Sequence, residues 1–525
     1  MKTKQYLLAS IALTLLLFSA SCSIKLNNNN LSKTSVQSRQ FWFNQNMLYD
    51  FDRITAELMA EGKHCTIWAE AGRNFSAEKA KEIANSFDNI IYPRLINTYS
   101  PKDGITYEGQ KFSNIMEFAD RLGDGDGKLR ILVFNRFEGV SYFLFSDLSK
   151  AGSDHPWSVY SNNSDMIYIA ESYLSVDYIS GLIAHETAHL INYVSGLAAG
   201  RQQPSQELWI NEGLATAAEW LYHDGHPNYR WWIRYKISPM LGIGNLFFNL
   251  QSENPFAEWQ DYLTGYLFFS WLRLQAGTQD IWYDIITSPY SDYRAVTIAA
   301  NKYMPGQGYD DWGTLLRNWL AANYINAPNG PLGYMNDSEL KNINARILPP
   351  EIPSLYLAPG EGVFSDVFED FTMPANTGNI RYASLRENPP ELSDTAIFPG
   401  GVLLTYNVCT DIAGNTESGI AAHSPAKNYT ATKFEGDWIG RFPHSPLSNY
   451  NHINFTGNTF TFKTHEGGEV RVNRTGLFTF TNNEITFIPD SVGSWHGYTQ
   501  PYSFSGNEIT LEFEGKNFYG VLTRQ

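Results

Sequence analysis

The spacing of apolar positions changes period several times along the chain, and each change outlines an element. Over residues 54–70, ITAELMAEGKHCTIWAE has short apolar runs that predict strands. SAEKAKEIANSFDNIIYPRLINTY at 76–99 has helical spacing, with Ser76 as the N-cap and Glu78 in the first turn. LRILVFN, after the turn GDGDGK, and MIYIAE at 166–171 read as strands. VDYISGLIAHETAHLINYVSG then predicts a helix of about 18 residues that breaks at Gly196. Past LPPEIPS at 348–354 the pattern loses its helical stretches. Residues 350–425 are rich in Pro, Gly, Asn and Thr with short runs such as GVLLTYNVC, predicting a small β domain. Beyond it, FTGNTFTF at 455–462, LFTFTNNEITFI at 477–488 and FSGNEITLEF at 504–513 alternate Phe, Thr and Ile around Gly-Asn or Asn-Asn pairs suited to tight turns. Repeated hairpins of this kind predict a meander closing into a small antiparallel barrel or sandwich.

The expected architecture is therefore multidomain. An α+β domain over 41–347 is followed by β-rich domains at 350–425 and 430–525, which suits a length of 525 residues. Aromatic residues make up 15% of the chain, as β-rich portions require. A net charge of −16 and no basic cluster argue against nucleic acid as a partner.

The N-terminus reads as an address. Lys2 and Lys4 precede an apolar stretch, Leu7 to Phe18, too short for a comfortable membrane span, and small residues lead to Cys22. This resembles the cleavage box of bacterial lipoproteins, although Ser19 stands where Leu is usual. A plain signal peptide with Cys22 incidental is the alternative. The resemblance implies a signal peptide over 1–22, lipid on Cys22, and export to the cell envelope on either membrane or the cell surface. Residues 23–40, with a run of four Asn, form a polar tether. Only Cys65 and Cys409 remain; being far apart, they read as free thiols rather than a bridge, and a Cys-based zinc site is excluded by the count.

The strongest chemical signal is His185-Glu186-Thr187-Ala188-His189. Residues i and i+4 lie one turn apart on a helix face, so both imidazoles can hold one zinc ion while Glu186 reaches a water on it as catalytic base. A bare HExxH occurs by chance in unrelated proteins. Here WINEGLATAAEW follows, placing Glu212 near the start of a second helical pattern, and this resembles the gluzincin class, which implies Glu212 as third ligand. A metzincin would need a His where Ser195 stands and a Gly where Asn192 stands. Glu219, two turns beyond Glu212, could orient a ligand imidazole or be a surface ion-pair residue. In several gluzincins a Tyr three residues before a Gly stabilises the oxyanion. DYLTGYLFFSWLRLQAG fits with Tyr262 and Gly265, and Tyr266 is the competitor. MIYIAE would then form the cleft edge to which an extended peptide adds.

Taken together, GKHCTIWAE, FDNIIYP, GDGDGKLRILVFN, HETAHLINY, WINEGLATAAEW and YLTGYLFFSWL resemble the hyicolysin family of secreted bacterial metallopeptidases across about 300 residues. The resemblance implies a zincin-like fold and a zinc endopeptidase acting on proteins or peptides. The Gly-x-Met-Glu-Asn segment of related aminopeptidases does not occur. The tail, from FEGDWIGRF to YGVLTRQ, resembles the lipocalin-like domains of bacterial lipoproteins at the level of fold. A contrasting reading is an adhesin or ligand-binding lipoprotein on an inactive scaffold. Trp438, Trp495 and Tyr498 would line its site, or else serve as barrel core, and retention of Glu186 speaks against that reading. The turn Gly123–Gly127 could lend carboxylates to Ca2+, but it lacks the spaced ligands and distal Glu of an EF-hand loop and reads more simply as a turn.

Overall fold

The computed structural model describes residues 37–525 except 45–50, 135–140, 151–157, 171–174, 226–254, 349–354, 411–416, 420–433, 441–449, 490–497 and gaps of at most three residues elsewhere beyond 343. The leader, Cys22 and most of the expected tether lie outside the described residues. The chain mixes helices with several sheets, as an α+β multidomain protein does.

Strands β1 (Ser38–Asn44), β2 (Phe51–Glu61), β3 (Cys65–Glu70), β6 (Leu129–Phe134), β7 (Tyr142–Phe143) and β8 (Met166–Ala170) form a six-stranded sheet in the order β1-β2-β3-β6-β8-β7, while β4 (Ile105–Tyr107) and β5 (Gln110–Phe112) make a separate hairpin. Residues 38–40, expected in the tether, are thus already strand. β3, β6 and β8 run parallel, and such neighbours require crossover connections. Between β3 and β6 these are α1 (Ala77–Ser86), which passes through a π-helical turn into α2 (Tyr92–Tyr99), and α3 (Ile115–Leu122). The Ser76 side chain accepts from the Lys79 amide and caps α1. Both faces of the sheet are covered, which is why LRILVF and MIYIA are buried throughout and, Arg130 apart, lack polar alternation. Ile67, Ile131 and Ile167 face the main core with the helices, and Phe41, Trp68, Leu132 and Tyr168 build a second, aromatic one.

MIYIAE is not the edge. β8 is flanked by β6 on one side and by β7 on the other, with Tyr142 opposite Tyr168, and those rings stack at 4.3 Å. The short antiparallel strand β7 takes the outer position. Sequence pattern could not show this, because a two-residue strand leaves no periodicity.

The helical body comprises α4 (Val176–Ala198), α5 (Leu208–His223), α6 (Pro255–Ala276), α7 (Asp280–Ile286), α8 (Tyr293–Tyr303) and α9 (Trp312–Ile325). α4 does not break at Gly196. That glycine is buried inside the helix, and a Cβ there would stand 1.8 Å from the carbonyl oxygen of Pro204, so its role is close approach rather than termination. No helix among the described residues is long and apolar enough to cross a membrane.

Beyond the helices, β9 (Ile347–Leu348), β11 (Gly362–Asp366), β12 (Ile380–Arg386), β13 (Glu391–Ser393) and β14 (Val402–Asn407) form a sheet ordered β13-β12-β14-β11-β9, and β10 (Leu355–Leu357) pairs with β15 (Glu417–Gly419). Phe364, Leu385, Leu404 and Tyr406 from this sheet join the same core as the helices, with Phe364 stacked on Tyr324 of α9 at 5.5 Å. Its other face buries Val363, Tyr382 and Leu403.

The last eight strands, β16 (Gly436–Gly440), β17 (Tyr450–Thr456), β18 (Thr459–Glu466), β19 (Glu469–Phe480), β20 (Glu484–Pro489), β21 (Tyr498–Ser505), β22 (Glu508–Phe513) and β23 (Lys516–Arg524), close into a barrel in chain order. The three hairpins read from Gly-Asn and Asn-Asn pairs are β17-β18, β19-β20 and β21-β22. Closure comes from β16 pairing with β23, Trp438 opposite Arg524. Trp438 is fully buried and donates its indole N–H to the Phe434 carbonyl at 2.6 Å, so it belongs to the barrel core. Trp495 and the side chain of Tyr498 lie outside the described residues.

Candidate metal centre

α4 and α5 pack side by side and carry the chemistry between them. The i, i+4 spacing brings His185 and His189 to one face of α4, their rings 4.8 Å apart. Opposite them, Glu212 sits in the first turns of α5, its Oε2 3.1 Å from His185 Nε2 and 3.5 Å from His189 Nε2. The far side of each ring is held. His185 Nδ1 lies 2.8 Å from Glu219 Oε1, and His189 Nδ1 lies 3.0 Å from Asn211 Oδ1. With Nδ1–H donating to these partners, both Nε2 atoms present lone pairs toward the Glu212 carboxylate.

That arrangement is self-repelling unless something positive stands among the three acceptors. Donors at about 2.0–2.1 Å from a tetrahedral zinc ion stand roughly 3.3 Å from one another, close to the 3.1 and 3.5 Å that separate Glu212 Oε2 from the two imidazole nitrogens. The donor set therefore fits a small dication, and the group His185, His189 and Glu212 can hold a metal. Without one, a proton takes its place. Burial opposes charge on His185, but hydrogen bonds to Glu212 and Glu219 outweigh it and hold the imidazole well above its usual range. Burial would also raise Glu212, yet the charge of His189 and the hydrogen bonds from both rings pull it well below the ordinary carboxylate range. Glu186, buried on the turn between the histidines, is raised by desolvation, with the imidazoles offsetting only part of the shift.

The structure also separates the two tyrosines. The half-buried Tyr262 faces the centre from α6, its ring 6.5 Å from that of His185. Tyr266 is 2% exposed and hydrogen-bonds Ser270 within its own helix, with Arg273 nearby. α6 comes this close because residue 213, next to Glu212, is glycine: a Cβ there would lie 2.2 Å from the Phe269 ring.

Two features had not been read from sequence. Asn211, adjacent to Glu212, holds the second imidazole, and its position one residue before a ligand was the signal available. The other is a clamp on the α4–α5 connection. The buried Arg201 donates from Nε to the Ser288 carbonyl at 2.7 Å and from Nη1 to that of Pro204 at 2.9 Å. Asn192 and Gln206 bond each other and tie the same turn to Ile285. Asn192, met first as a departure from the metzincin pattern, is thus a residue that fixes where α5 begins.

Fold and donor set together define a class: a chain of mixed helix and sheet with two histidines and a glutamate on adjacent helices, grouped so that they could hold a metal. No protein-family profile matches the chain. Among characterised proteins it is similar to the neutral metalloprotease ShpI of Staphylococcus hyicus, 22% identical over 339 residues, which is 62% of this chain and 70% of that protein.

Proposed function

We propose that the chain is a zinc metalloendopeptidase of zincin-like fold, exported and lipid-anchored at Cys22, that hydrolyses peptide bonds in protein substrates. The observation that carries this reading is the convergence of His185 Nε2, His189 Nε2 and Glu212 Oε2 beside the buried Glu186 carboxylate. Its similarity to a neutral metalloprotease supports the reading, as does a ligand count that leaves a fourth position open.

His185, His189 and Glu212 would hold the ion, and when bound a zinc ion supplies a Lewis acid that acidifies water and polarises a carbonyl. Glu186, with its affinity for protons raised by burial, accepts the water proton and returns it to the leaving amine. Tyr262 donates its phenol O–H to the oxyanion of the tetrahedral carbon. Glu219 and Asn211 keep both imidazoles in the tautomer that presents Nε2. The terminal barrel, eight-stranded and up-and-down in order, supports the lipocalin-like reading of the tail.

The test compares the full chain with Glu186→Gln by metal analysis and by mass-spectrometric mapping of cuts in a denatured protein such as casein. About one zinc in each protein, with cleavage falling by roughly 10²–10⁴-fold in the variant, is the expected outcome. Full activity in the variant would remove Glu186 from its role. A zinc-loaded wild type that cuts no substrate would overturn the peptidase reading. Mass analysis of the mature N-terminus checks the lipid on Cys22.

A further inference from the structure

The loop between α3 and β6 is not used by the metal centre. Asp120, in the last turn of α3, and Asp124 and Asp126 of the loop bring one carboxylate oxygen each to within 4.8 Å of the others. Three acidic residues on a turn can simply be solvated. The observation that changes this is Asp165, immediately before β8. The residue is 1% exposed, and among the described residues its Oδ1 has no hydrogen-bond partner. That oxygen lies over Gly123, 3.1 Å from where a Cβ on that residue would stand, and it feels the charges of Asp120, Asp124 and Asp126. A buried carboxylate beside Gly123 that feels the charge of three others is strongly unfavourable unless a cation or a proton offsets it.

The cations nearby do not resolve it. Arg130, on β6, pairs through its guanidinium with Asp124 Oδ2 and Asp126 Oδ2 and donates to the Ser164 hydroxyl at 2.5 Å. Asp120 Oδ1 accepts from the Gly127 amide at 2.7 Å. Arg39 adds its charge from further away, with Nη2 bonded to the Asn162 carbonyl at 3.1 Å. Of the four carboxylates, two pair with the Arg130 guanidinium and Asp120 takes a backbone amide, while among the described residues Asp165 Oδ1 has no hydrogen-bond partner.

We propose that Asp120, Asp124, Asp126 and Asp165 form a second metal site, one that takes a calcium ion. The donor set is all oxygen, which selects hard cations over zinc. Calcium accepts six to eight oxygens at about 2.3–2.6 Å in irregular geometry and completes its shell with carbonyls and water, whereas magnesium demands a near-ideal octahedron. The ion joins the loop that precedes β6 to the residue that precedes β8, two parallel strands paired from Arg130 opposite Met166 onward. Its role is structural, pinning the sheet against which α4 packs.

The experiment uses the full chain in calcium-free buffer, titrated with CaCl2 or MgCl2 and followed by calorimetric binding and thermal unfolding, with Asp165→Asn and the more exposed Asp126→Asn alongside. Wild type should bind about one calcium, and its Tm should rise by several degrees and saturate with the ion. Both variants should lose that rise, while zinc content stays as in wild type. Asp126→Asn covers the case in which the buried substitution fails to fold. No calcium binding by wild type, an equal response to magnesium, or an undiminished response in Asp126→Asn would each overturn the assignment.

Discussion

At the scale of single residues, the proposed centre depends on groups outside its own donor set. Glu219 accepts a hydrogen bond from His185 Nδ1–H and so decides which ring nitrogen is free. Glu219→Gln keeps the size and an acceptor oxygen but removes the charge that makes Nε2 more basic. Zinc affinity should fall by roughly 10–100-fold, read by competition with a chromogenic chelator; the metal-free protein should also lose Tm, because Glu219 there helps hold the charged His185 imidazole. A purely structural role would lower Tm with unchanged affinity. Legibility at this scale followed geometry. His185, Glu186 and His189 could be placed together because helical spacing is local, and the two-turn interval put Glu219 on the face of Glu212. Asn211 escaped because an amide beside a glutamate has no distinctive spacing. Choosing Tyr262 over Tyr266 required knowing which face of α6 meets α4, and that is set by packing at Gly213 and Phe269 rather than by the Tyr-Gly interval.

At the scale of elements, the angle and separation of α4 and α5 place Glu212 over the two imidazoles. Gly196 controls that separation. An alanine in a helix interior ordinarily gains up to about 1 kcal/mol over glycine, but here the added carbon would stand 1.8 Å from a backbone oxygen of Pro204, which the Arg201 clamp prevents from yielding. The overlap wins. Gly196→Ala should destabilise the fold by about 3 kcal/mol, near the top of the usual range for overpacking, measured by urea unfolding. It should also weaken zinc binding, because displacing the connection moves Glu212. Reading Gly196 as a helix stop applied a sound local rule to a position whose constraint is tertiary. The edge of the large sheet was misread for a related reason. MIYIA is a continuous apolar strand, which indicates cover on both faces but says nothing about its lateral neighbours, and β7 is too short to declare itself.

At the scale of the molecule, the two β-rich portions relate differently to the body. The β11–β14 sheet shares one of its two faces with the body: Phe364, Leu385, Leu404 and Tyr406 pack into the cluster that also holds Trp319 and Leu320 of α9, while Val363, Tyr382 and Leu403 form a small core of their own on the other face. One of its edge strands, Ile347–Leu348, ends where the proline-rich stretch that reads as a boundary begins. Composition marks that stretch, but composition cannot reveal that a sheet on its far side completes the helical core. The barrel is built otherwise. β16 closes on β23, leaving no edge to pair elsewhere, and its aromatic centre is its own, with Phe455 and Phe478 at 4.6 Å and Phe434 against both. No described barrel residue belongs to the core shared by the helices and the second sheet. Two truncations should therefore part ways. A chain ending at residue 432 should keep its zinc and cleave peptides at the rate of the full protein. One ending at residue 349 strips the cover from α9, exposing a face that includes Leu320 and Tyr324, and should lose its cooperative thermal transition and aggregate. Calorimetry and peptide cleavage on both fragments distinguish the cases. A stable, active fragment ending at 349 would make residues 350–425 a domain in their own right, and an unfolded one ending at 432 would make the barrel part of the enzyme's core.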